Sequence, residues 1–517
     1  MDPARPRARA VAIQGDTIVA VGDDAEIRAL AKERTQQIDL AGKTLTPGLI
    51  DAHCHLHGLG VDLENVSVRG LESEAATVAQ LAAAAKDRTA GEWMTGRGWD
   101  QNRWPGQQFP TKASLDAALN DRPVVVRRID GHASWVNSKA LALAKITKDT
   151  PDPAGGKILR DAAGEPTGVF IDNAEELIDR VVPVASDEVR QRRILAASRL
   201  AIAAGITGVH EMGIENATAE VYRKLATNHQ LPLRVYAYLA GDPANLAPVR
   251  TAPAPAIDHF VMRGVKFFAD GALGSRGARL YKEYDDDPKN RGLWVTEPDT
   301  LAIAVDTAVG GGWQVAIHAI GDAGIGSTLD AYLAATKKYG GDRRLRVEHL
   351  QVVAPQDFPR LVESKAIASM QPTHATSDMP WAEQRVGAER IKGAYAWRTV
   401  LDKGVPLAAG SDFPVEEVAP LLGIYAAVTR QDASGKPAGG WYPDQKLTLD
   451  EAIAAFTSGA AYAEFAESTR GMIAVGRTAD FTAFDRALAA DRTLLDTHVQ
   501  LTIVGGKIVF DRGAKAP

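Results

Sequence analysis

The sequence LIDAHCHLHG, residues 49–58, places three histidines at alternate positions: His53, His55 and His57. The chain has only 11 histidines in 517 residues, so three of them within five positions is a marked concentration. Successive side chains of a β-strand point to opposite faces, so His53 and His55 can direct two imidazoles at one point. This arrangement suits a metal ion, although short histidine clusters also occur on ordinary protein surfaces.

The residues before these histidines favour the metal site. TLTPGLIDAH (44–53) is an apolar run that contains Pro47 and Gly48 at its start and ends in an acidic residue and a histidine. A buried parallel strand that ends at a functional mouth has this pattern. The remaining ligands must then come from other parts of the chain.

The same pattern, an apolar strand that ends in a polar residue and is followed by helical sequence, recurs along the middle of the chain. It is the signature of βα units, and eight of them in sequence predict an α/β fold, a (β/α)₈ TIM-type barrel of about 250 residues plus additions. The eight candidate strands are TPGLIDAH (46–53), GITGVHEMG (205–213), LRVYAYLAG (233–241), GVKFFADG (264–271), WQVAIHAIG (313–321), LRVEHLQ (345–351), AIASMQPTHA (366–375) and VPLAAGSDFP (405–414).

Both ends of the chain alternate apolar and polar residues. AVAIQGDTIVAVG (10–22) predicts a hairpin that turns at Gly15–Asp16, and residues 479–485 and 499–513 alternate similarly, the latter with a turn at Gly505–Gly506. We therefore predict a small β-sandwich domain formed by both termini. The predicted division is β-domain 1–47, barrel 48–469 and β-domain 470–517.

A gap of roughly 150 residues separates the first two barrel strands. We assign residues 62–182 to a large insertion after barrel strand 1 that caps the active site, since loops from the carboxyl ends of the strands build a barrel's site. The insertion contains an aromatic-rich loop at 96–110, a ninth candidate strand at 122–135 and a hairpin-like stretch at 155–172.

Composition excludes several classes of protein. A net charge of −6 offers no basic stripe for nucleic acid, and no run of 18 apolar residues occurs, so we expect neither a nucleic-acid partner nor a membrane span. The single cysteine, Cys54, allows no intrachain disulfide and is expected to be a packed core thiol. The default location is cytoplasmic, or periplasmic or secreted if an N-terminal leader has been removed.

Polar residues at the ends of the predicted strands converge on one pocket. Four imidazoles, a carboxylate and a lysine fit two borderline metals such as Zn²⁺, Mn²⁺ or Co²⁺ better than Ca²⁺ or Mg²⁺, which prefer oxygen ligands. The converging residues are His53, His55, Lys266, His318, His349 and Asp412.

With these motifs the sequence resembles the amidohydrolase superfamily over nearly its whole length. The resemblance rests on PGLIDAHCH (47–55), HAIGDAG (318–324), RVEHLQ (346–351), GSDFPVE (410–416) and GMIAVGRTADFTAFD (471–485). VKFFADGALGSRGA (265–278) and the insertion are similar to the YtcJ-like branch, which includes N-substituted formamide deformylases.

The resemblance implies a binuclear centre. His53, His55 and Asp412 would hold one metal, and His318 and His349 the other. Lys266 would bridge the two as a carbamate derived from carbon dioxide, because two cations repel an ammonium and lower the pKa of the amine. The metals would be Zn²⁺, with Mn²⁺, Co²⁺ or Fe²⁺ as alternatives.

Each ligand also has an ordinary structural alternative. Lys266 can instead form a salt bridge with Asp270, His318 and His349 can be core histidines, and Asp412 can cap a helix.

Further residues are predicted to contact substrate. The substrate-binding candidates are Arg276, Glu211, His132, His374 and Trp99, with Trp104, Phe109, Trp135 and Trp381 as further lining. Arg276 can hold a carboxylate or carbonyl, or merely pair with an acidic neighbour. The aromatic residues favour a small-molecule substrate with an apolar or aromatic substituent, and a homodimer is one possible assembly.

The predicted reaction is hydrolysis of carbon–nitrogen bonds other than peptide bonds, in amide, N-formyl or N-acyl small molecules. Water that two metals activate attacks the carbonyl, and Asp412 serves as the catalytic proton shuttle. The alternatives are ester, lactone, carbamate or phosphoester hydrolysis on the same site, or a metal-binding scaffold without catalysis.

Overall fold

The structure is a computed structural model that describes residues 5–89 and 91–514. The chain begins with an antiparallel hairpin that turns at Gly15–Asp16, as predicted, and then enters the first barrel strand. The elements of this part are β1 (Ala10–Gln14), β2 (Thr17–Gly22), α1 (Asp24–Arg28), β3 (Thr44–Pro47), β4 (Leu49–Cys54) and α2 (Leu56–Asp62).

After α2 the chain leaves the barrel and builds a six-stranded sheet, which we call the cap. Its strand order is β5-β6-β7-β8-β10-β9, and the predicted ninth strand is wrong as a single strand: a turn with Gly131 at φ +76° divides it into antiparallel β7 and β8. The cap elements are β5 (Val66–Ser67), α3 (Glu74–Ala85), β6 (Met94–Trp99), α4 (Lys112–Ala118), β7 (Val124–Arg128), β8 (Ala133–Val136), α5 (Ser138–Ala144), β9 (Gly156–Arg160), β10 (Pro166–Asp172) and α6 (Glu176–Asp179).

The barrel sheet contains all eight predicted strands, each parallel to its neighbours, in the order β17-β16-β15-β14-β13-β12-β11-β4. The (β/α)₈ prediction is confirmed. The elements are α7 (Asp187–Ala203), β11 (Ile206–Ile214), α8 (Asn216–Thr227), β12 (Arg234–Ala240), β13 (Phe260–Phe268), α9 (Pro298–Gly310), β14 (Gln314–Ala319), α10 (Asp322–Tyr339), β15 (Arg346–His349), α11 (Asp357–Ser364), β16 (Ile367–Met370), α12 (Pro372–Asp378), α13 (Ala382–Arg390), α14 (Trp397–Asp402), β17 (Leu407–Ala409), α15 (Pro420–Thr429), α16 (Leu449–Ala455) and α17 (Ser458–Ala463).

A second sheet domain combines both ends of the chain. The last strands, β18 (Phe481–Phe484), β19 (Val499–Val504) and β20 (Lys507–Asp511), form an antiparallel sheet with β3 in the order β20-β19-β18-β3. Ile18 of the N-terminal hairpin packs in the same apolar cluster as Phe481 and Ile503, so the hairpin covers this sheet. The boundaries 1–47, 48–469, 470–517 and 62–182 stay predictions, and residues 1–4, 90 and 515–517 lie outside the described part.

No helix within the described residues combines the length and the apolar character needed to cross a lipid bilayer.

A bulge in β6 decides which side chains of this strand enter the cap core. Met94 and Gly96 face the core, but the pairing with β7 shifts between Arg97 and Trp99, and Gly98 adopts φ +114°. The extra residue breaks the alternation, so Trp99 turns into the core while Arg97 stays on the opposite face.

Replacing Gly98 with alanine should destabilise the cap more than the same change at Gly106. Both glycines have positive φ, +114° and +79°, so both variants carry backbone strain. A Cβ on Gly98 would also lie 2.7 Å from the backbone nitrogen of Arg69, whereas nothing lies within 4 Å of a Cβ on Gly106. We expect Gly98→Ala to lower the Tm further and to speed proteolysis of the cap, at an extra cost of about 1–3 kcal/mol for the overlap. Equal effects of both changes on Tm and proteolysis would contradict this account of the bulge.

Candidate metal centre

The six predicted metal ligands lie together at the carboxyl-terminal mouth of the barrel. Five of them line a pocket of about 720 Å³, and His53 lies fully buried beneath it. The pocket-lining ligands are His55, Lys266, His318, His349 and Asp412.

The first donor group joins the two ends of the barrel. His55 Nε2 lies 3.3 Å and His53 Nε2 lies 3.5 Å from Asp412 Oδ1, and the three residues form one group of potential metal ligands. His53 Nε2 and Asp412 Oδ1 are buried without a hydrogen-bond partner. Two imidazole nitrogens and a carboxylate oxygen form a donor set that fits a borderline divalent metal.

A buried acidic residue orients His53. The acidic residue is Glu348: His53 Nδ1 donates to Glu348 Oε2 at 2.5 Å, and Arg346 Nε donates to Glu348 Oε1 at 2.7 Å. Burial by itself would raise the pKa of Glu348, but the Arg346 guanidinium and His53 hold it below its usual range. With Nδ1 protonated, His53 presents an unprotonated Nε2 to the centre, and burial, which lowers the pKa of His53 to about 4, favours this neutral form.

His55 is held in a similar manner by the second barrel strand. Its Nδ1 donates to the carbonyl of Met212 at 3.0 Å, which leaves Nε2 facing Asp412. The buried Glu211 fixes the start of α2 just after His55, because it accepts the backbone N–H groups of Leu56 and His57. Glu211 also lines the pocket, so the predicted residue lies at the site and supports His55.

The second donor group includes a residue that the sequence predicts only as a substrate contact. His374, on α12, has its Nε2 3.5 Å from Asp412 Oδ2, and this nitrogen is buried without a hydrogen-bond partner. His349, His374 and Asp412 form a group of potential ligands. Gln371 Oε1 accepts from His349 Nδ1 at 2.9 Å, which leaves Nε2 of His349 free.

His318 and Lys266 lie beside these groups. The His318 ring centroid is 4.6 Å from that of His349, while His318 Nε2 donates to the carbonyl of Gly271 at 3.2 Å. Lys266 is buried, its Nζ lies 4.6 Å from the centroid of the Phe268 ring, and burial lowers its pKa to about 8.

The alternative of a salt bridge between Lys266 and Asp270 finds no support within the described residues. Asp270 instead accepts backbone N–H groups of Arg279, Ile320 and Gly321 at 2.8–3.0 Å. Its carboxylate thus fixes loops at the barrel mouth.

The cap contributes His132 to the pocket. Its Nδ1 donates to Asp172 Oδ1 at 2.6 Å, and its ring centroid lies 4.8 Å from that of His318. Burial by itself would lower the pKa of His132, but the hydrogen bond and the negative charge of Asp172 raise it to about 9. His132, which the sequence predicts as a substrate contact, thus lines the pocket beside His318.

Several predicted substrate contacts are wrong, beginning with the aromatic residues of the cap. Trp99 is fully buried in the cap core beside Trp104, Phe109 and Trp135, and its Nε1 donates to the carbonyl of Val126 at 2.8 Å. The bulge at Gly98 turns it away from the pocket.

Arg276 lies outside the pocket lining because an acidic loop holds its guanidinium. Its Nη2 donates to Asp286 Oδ2 at 3.0 Å, which is the second of the two roles that the sequence left open.

Two further residues lie in the apolar core. Trp381, predicted as pocket lining, packs in the main apolar core. Cys54 is buried on the far side, with its Sγ 3.6 Å from the carbonyl of His210, as predicted for a core thiol.

Comparison with known proteins agrees with this geometry. The chain matches the model of the Amidohydrolase family over residues 36–510. It is 33% identical to the protein YtcJ of Bacillus subtilis (strain 168), over 98% of this chain and 96% of that protein. The name of that protein describes it as an amidohydrolase. It is 26% identical to the N-substituted formamide deformylase of Arthrobacter pascens, over 99% of this chain and 96% of that protein.

A solved structure shares both sequence and fold. An uncharacterised metal-dependent hydrolase from Pyrococcus horikoshii OT3 is 29% identical, with a TM-score of 0.73 over 92% of this chain and 93% of that chain. The family match spans the barrel, the cap and the four strands β3, β18, β19 and β20, and begins after the N-terminal hairpin. The chain therefore belongs to the amidohydrolase family and is a hydrolase.

Proposed function

We propose that this hydrolase cleaves carbon–nitrogen bonds other than peptide bonds, in small N-acyl or N-formyl amides. The observation that carries the proposal is the convergence of His53 Nε2 and His55 Nε2 on Asp412 Oδ1, at 3.5 and 3.3 Å, at the base of the pocket. The name of the Arthrobacter pascens relative supports an amide, and in particular a formamide, as the substrate.

The proposed cofactors are two divalent transition-metal ions, Zn²⁺ first, with Mn²⁺, Co²⁺ or Fe²⁺ as alternatives. His53, His55 and Asp412 would hold one ion, and His318 and His349 the other, with Lys266 as a bridging carbamate. His374 offers a further nitrogen beside Asp412 Oδ2. When bound, such metals polarise a carbonyl oxygen and lower the pKa of water.

Asp412 is the proposed proton shuttle. Its carboxylate accepts the proton of the attacking water and returns it to the nitrogen of the leaving group, because an amine leaves poorly as an anion. His132 contacts the substrate from the cap, where Asp172 fixes its ring.

The walls of the pocket support an apolar or aromatic substituent on the substrate. The apolar residues that line the pocket include Val61, Val182, Val184, Phe268 and Val295. The proposed partner is thus a small molecule, with no role for nucleic acid or a membrane, and a homodimer is compatible with it.

Metal dependence is the first test of this function. Elemental analysis of the purified protein should find about one to two transition-metal ions per chain, and chelation should abolish amide hydrolysis. Zn²⁺, Mn²⁺, Co²⁺ or Fe²⁺ should restore it. His55→Ala should lower the metal content, whereas His229→Ala, at an exposed histidine outside the pocket, should leave it unchanged. A fully active preparation without metal would refute the proposal.

Replacing Asp412 with asparagine should separate proton transfer from metal binding. Asparagine keeps an oxygen ligand and nearly the same volume but removes the basic carboxylate, so the metal should largely remain while turnover falls by about 10²-fold or more. Asp412→Ala removes the ligand and should lose metal as well. Metal content and kcat are measured together on both variants, and full activity of Asp412→Asn would show that Asp412 is not the shuttle.

Replacing Lys266 with alanine should lower both metal content and turnover, because it removes the proposed bridge. The cavity that the substitution leaves should admit a short carboxylic acid, which, with excess bicarbonate, should restore part of both. Lys266→Met fills the cavity and should resist this rescue. If Lys266→Ala keeps its metals and full rate, Lys266 has only a structural role.

A further inference from the structure

One arginine of the cap enters the pocket through the bulge in β6. Arg97 lines the pocket, and its guanidinium lies beside the turn that precedes His132: a Cβ on Gly131 would be 3.5 Å from Arg97 Nη2. His132 in turn lies against His318, with ring centroids 4.8 Å apart. Arg97 therefore lines the same pocket as the candidate metal ligands.

The donors of Arg97 are largely unused within the described residues. Arg97 Nη2 donates to the carbonyl of Ile129 at 3.1 Å, while Nε is buried without a hydrogen-bond partner. The nearest carboxylate is that of Asp62, whose Oδ1 lies 4.0 Å from Arg97 Nε and is itself without a partner. A separation of 4.0 Å is too long for a hydrogen bond, so the guanidinium retains donors for a ligand.

Two neighbouring carboxylates of the cap already accept hydrogen bonds, although Asp172 Oδ2 is buried without a partner. Asp130 accepts from Arg128 and from the backbone N–H of His132, and Asp172 accepts from His132.

Arg193, at the pocket rim, is also paired, because its Nε donates to Glu64 Oε2 at 2.8 Å. Arg97 differs from Arg193 because, among the described residues, no carboxylate lies closer than 4.0 Å to its guanidinium. A guanidinium stays charged at any physiological pH, and its planar fork matches a carboxylate.

We infer that Arg97 binds a carboxylate of the substrate, so that the enzyme acts on N-acylated amino acids with an apolar or aromatic side chain. The inference rests on the proposed amide hydrolysis and names its substrate class. In the reaction, water adds across the carbon–nitrogen bond: the acyl carbon takes the hydroxyl, the nitrogen takes the proton, and a carboxylic acid and an amino acid are released. No oxidant or reductant takes part.

Kinetics on a matched pair of substrates test the role of Arg97. N-formylphenylalanine and N-(2-phenylethyl)formamide differ only in the carboxylate, and both are assayed with metal-loaded protein. Wild type should prefer the first by about 10- to 100-fold in kcat/KM, the worth of a charge-assisted hydrogen-bonded pair. Arg97→Gln should remove this preference, mainly through KM, and leave the second substrate within about twofold of wild type.

Asp62→Asn is the matched control. It removes the carboxylate nearest to Arg97 but keeps the guanidinium, so it should retain the preference for N-formylphenylalanine. If wild type shows no preference, or if Arg97→Gln slows both substrates equally, the carboxylate site is refuted.

A binding measurement keeps this inference separate from the proposed reaction. N-methanesulfonylphenylalanine and its counterpart without the carboxylate, N-(2-phenylethyl)methanesulfonamide, resist hydrolysis, so their Kd values do not depend on turnover. Calorimetry should show about 10- to 100-fold tighter binding of the carboxylate in wild type and in Asp62→Asn, and no difference in Arg97→Gln.

The two measurements have distinct failures. Should neither formamide be hydrolysed while the carboxylate binds through Arg97, amide hydrolysis fails and the anion site stands. Equal Kd values for both sulfonamides in wild type would refute the anion site even if both formamides are hydrolysed.

Discussion

Two backbone hydrogen bonds join the first barrel strand to the loop after the last one, and the metal centre depends on them. The N–H of Asp412 donates to the carbonyl of His53 at 2.7 Å, and the N–H of His55 donates to the carbonyl of Phe413 at 2.8 Å. They bring together ligands that lie more than 350 positions apart in the sequence. Gly410 permits this approach, because a Cβ there would lie 2.4 Å from the backbone nitrogen of His53.

Around this junction, a fixed acceptor holds the outer nitrogen of several ligand imidazoles. Glu348 holds His53, the carbonyl of Met212 holds His55, and Gln371 holds His349. Each of these acceptors selects the tautomer whose free nitrogen faces the centre. The orientation of these imidazoles is therefore set by the fold, and the side chains need to rearrange little when a metal binds.

Much of the barrel and of its ligand set follows from local sequence. Parallel strands buried on both faces are continuous apolar runs, and a polar residue at the end of such a run marks the mouth of the barrel. This rule is enough to predict that His53, Lys266, His318 and His349 lie at one mouth.

Residues whose positions depend on contacts distant in sequence are harder to predict. Glu348 lies on β15 just before His349, but its role depends on Arg346 and His53 meeting inside the barrel. The closeness of His374 to Asp412 depends on how α12 begins. Local sequence favours Trp99 over Arg97 as a pocket residue, and the structure shows the opposite. The reason is the bulge between them, which forms where Gly98 packs against the backbone of Arg69, a contact that local sequence does not reveal.

In the proposed function, the barrel and the cap divide the recognition of a substrate between them. The ligands on the barrel strands are tied to buried partners such as Arg346, so changes there disturb several groups at once. Two of the cap side chains that face the pocket are His132, which lies on a turn, and Arg97, which lies beside a bulge. Burying the Arg97 guanidinium with Asp62 no closer than 4.0 Å costs folding free energy, since a buried charge without a close partner is unfavourable. A ligand anion that reaches Arg97 offsets this cost only in the complex. The unfavourable burial of the charge in the free protein therefore increases the affinity for a negatively charged ligand and not for a neutral one.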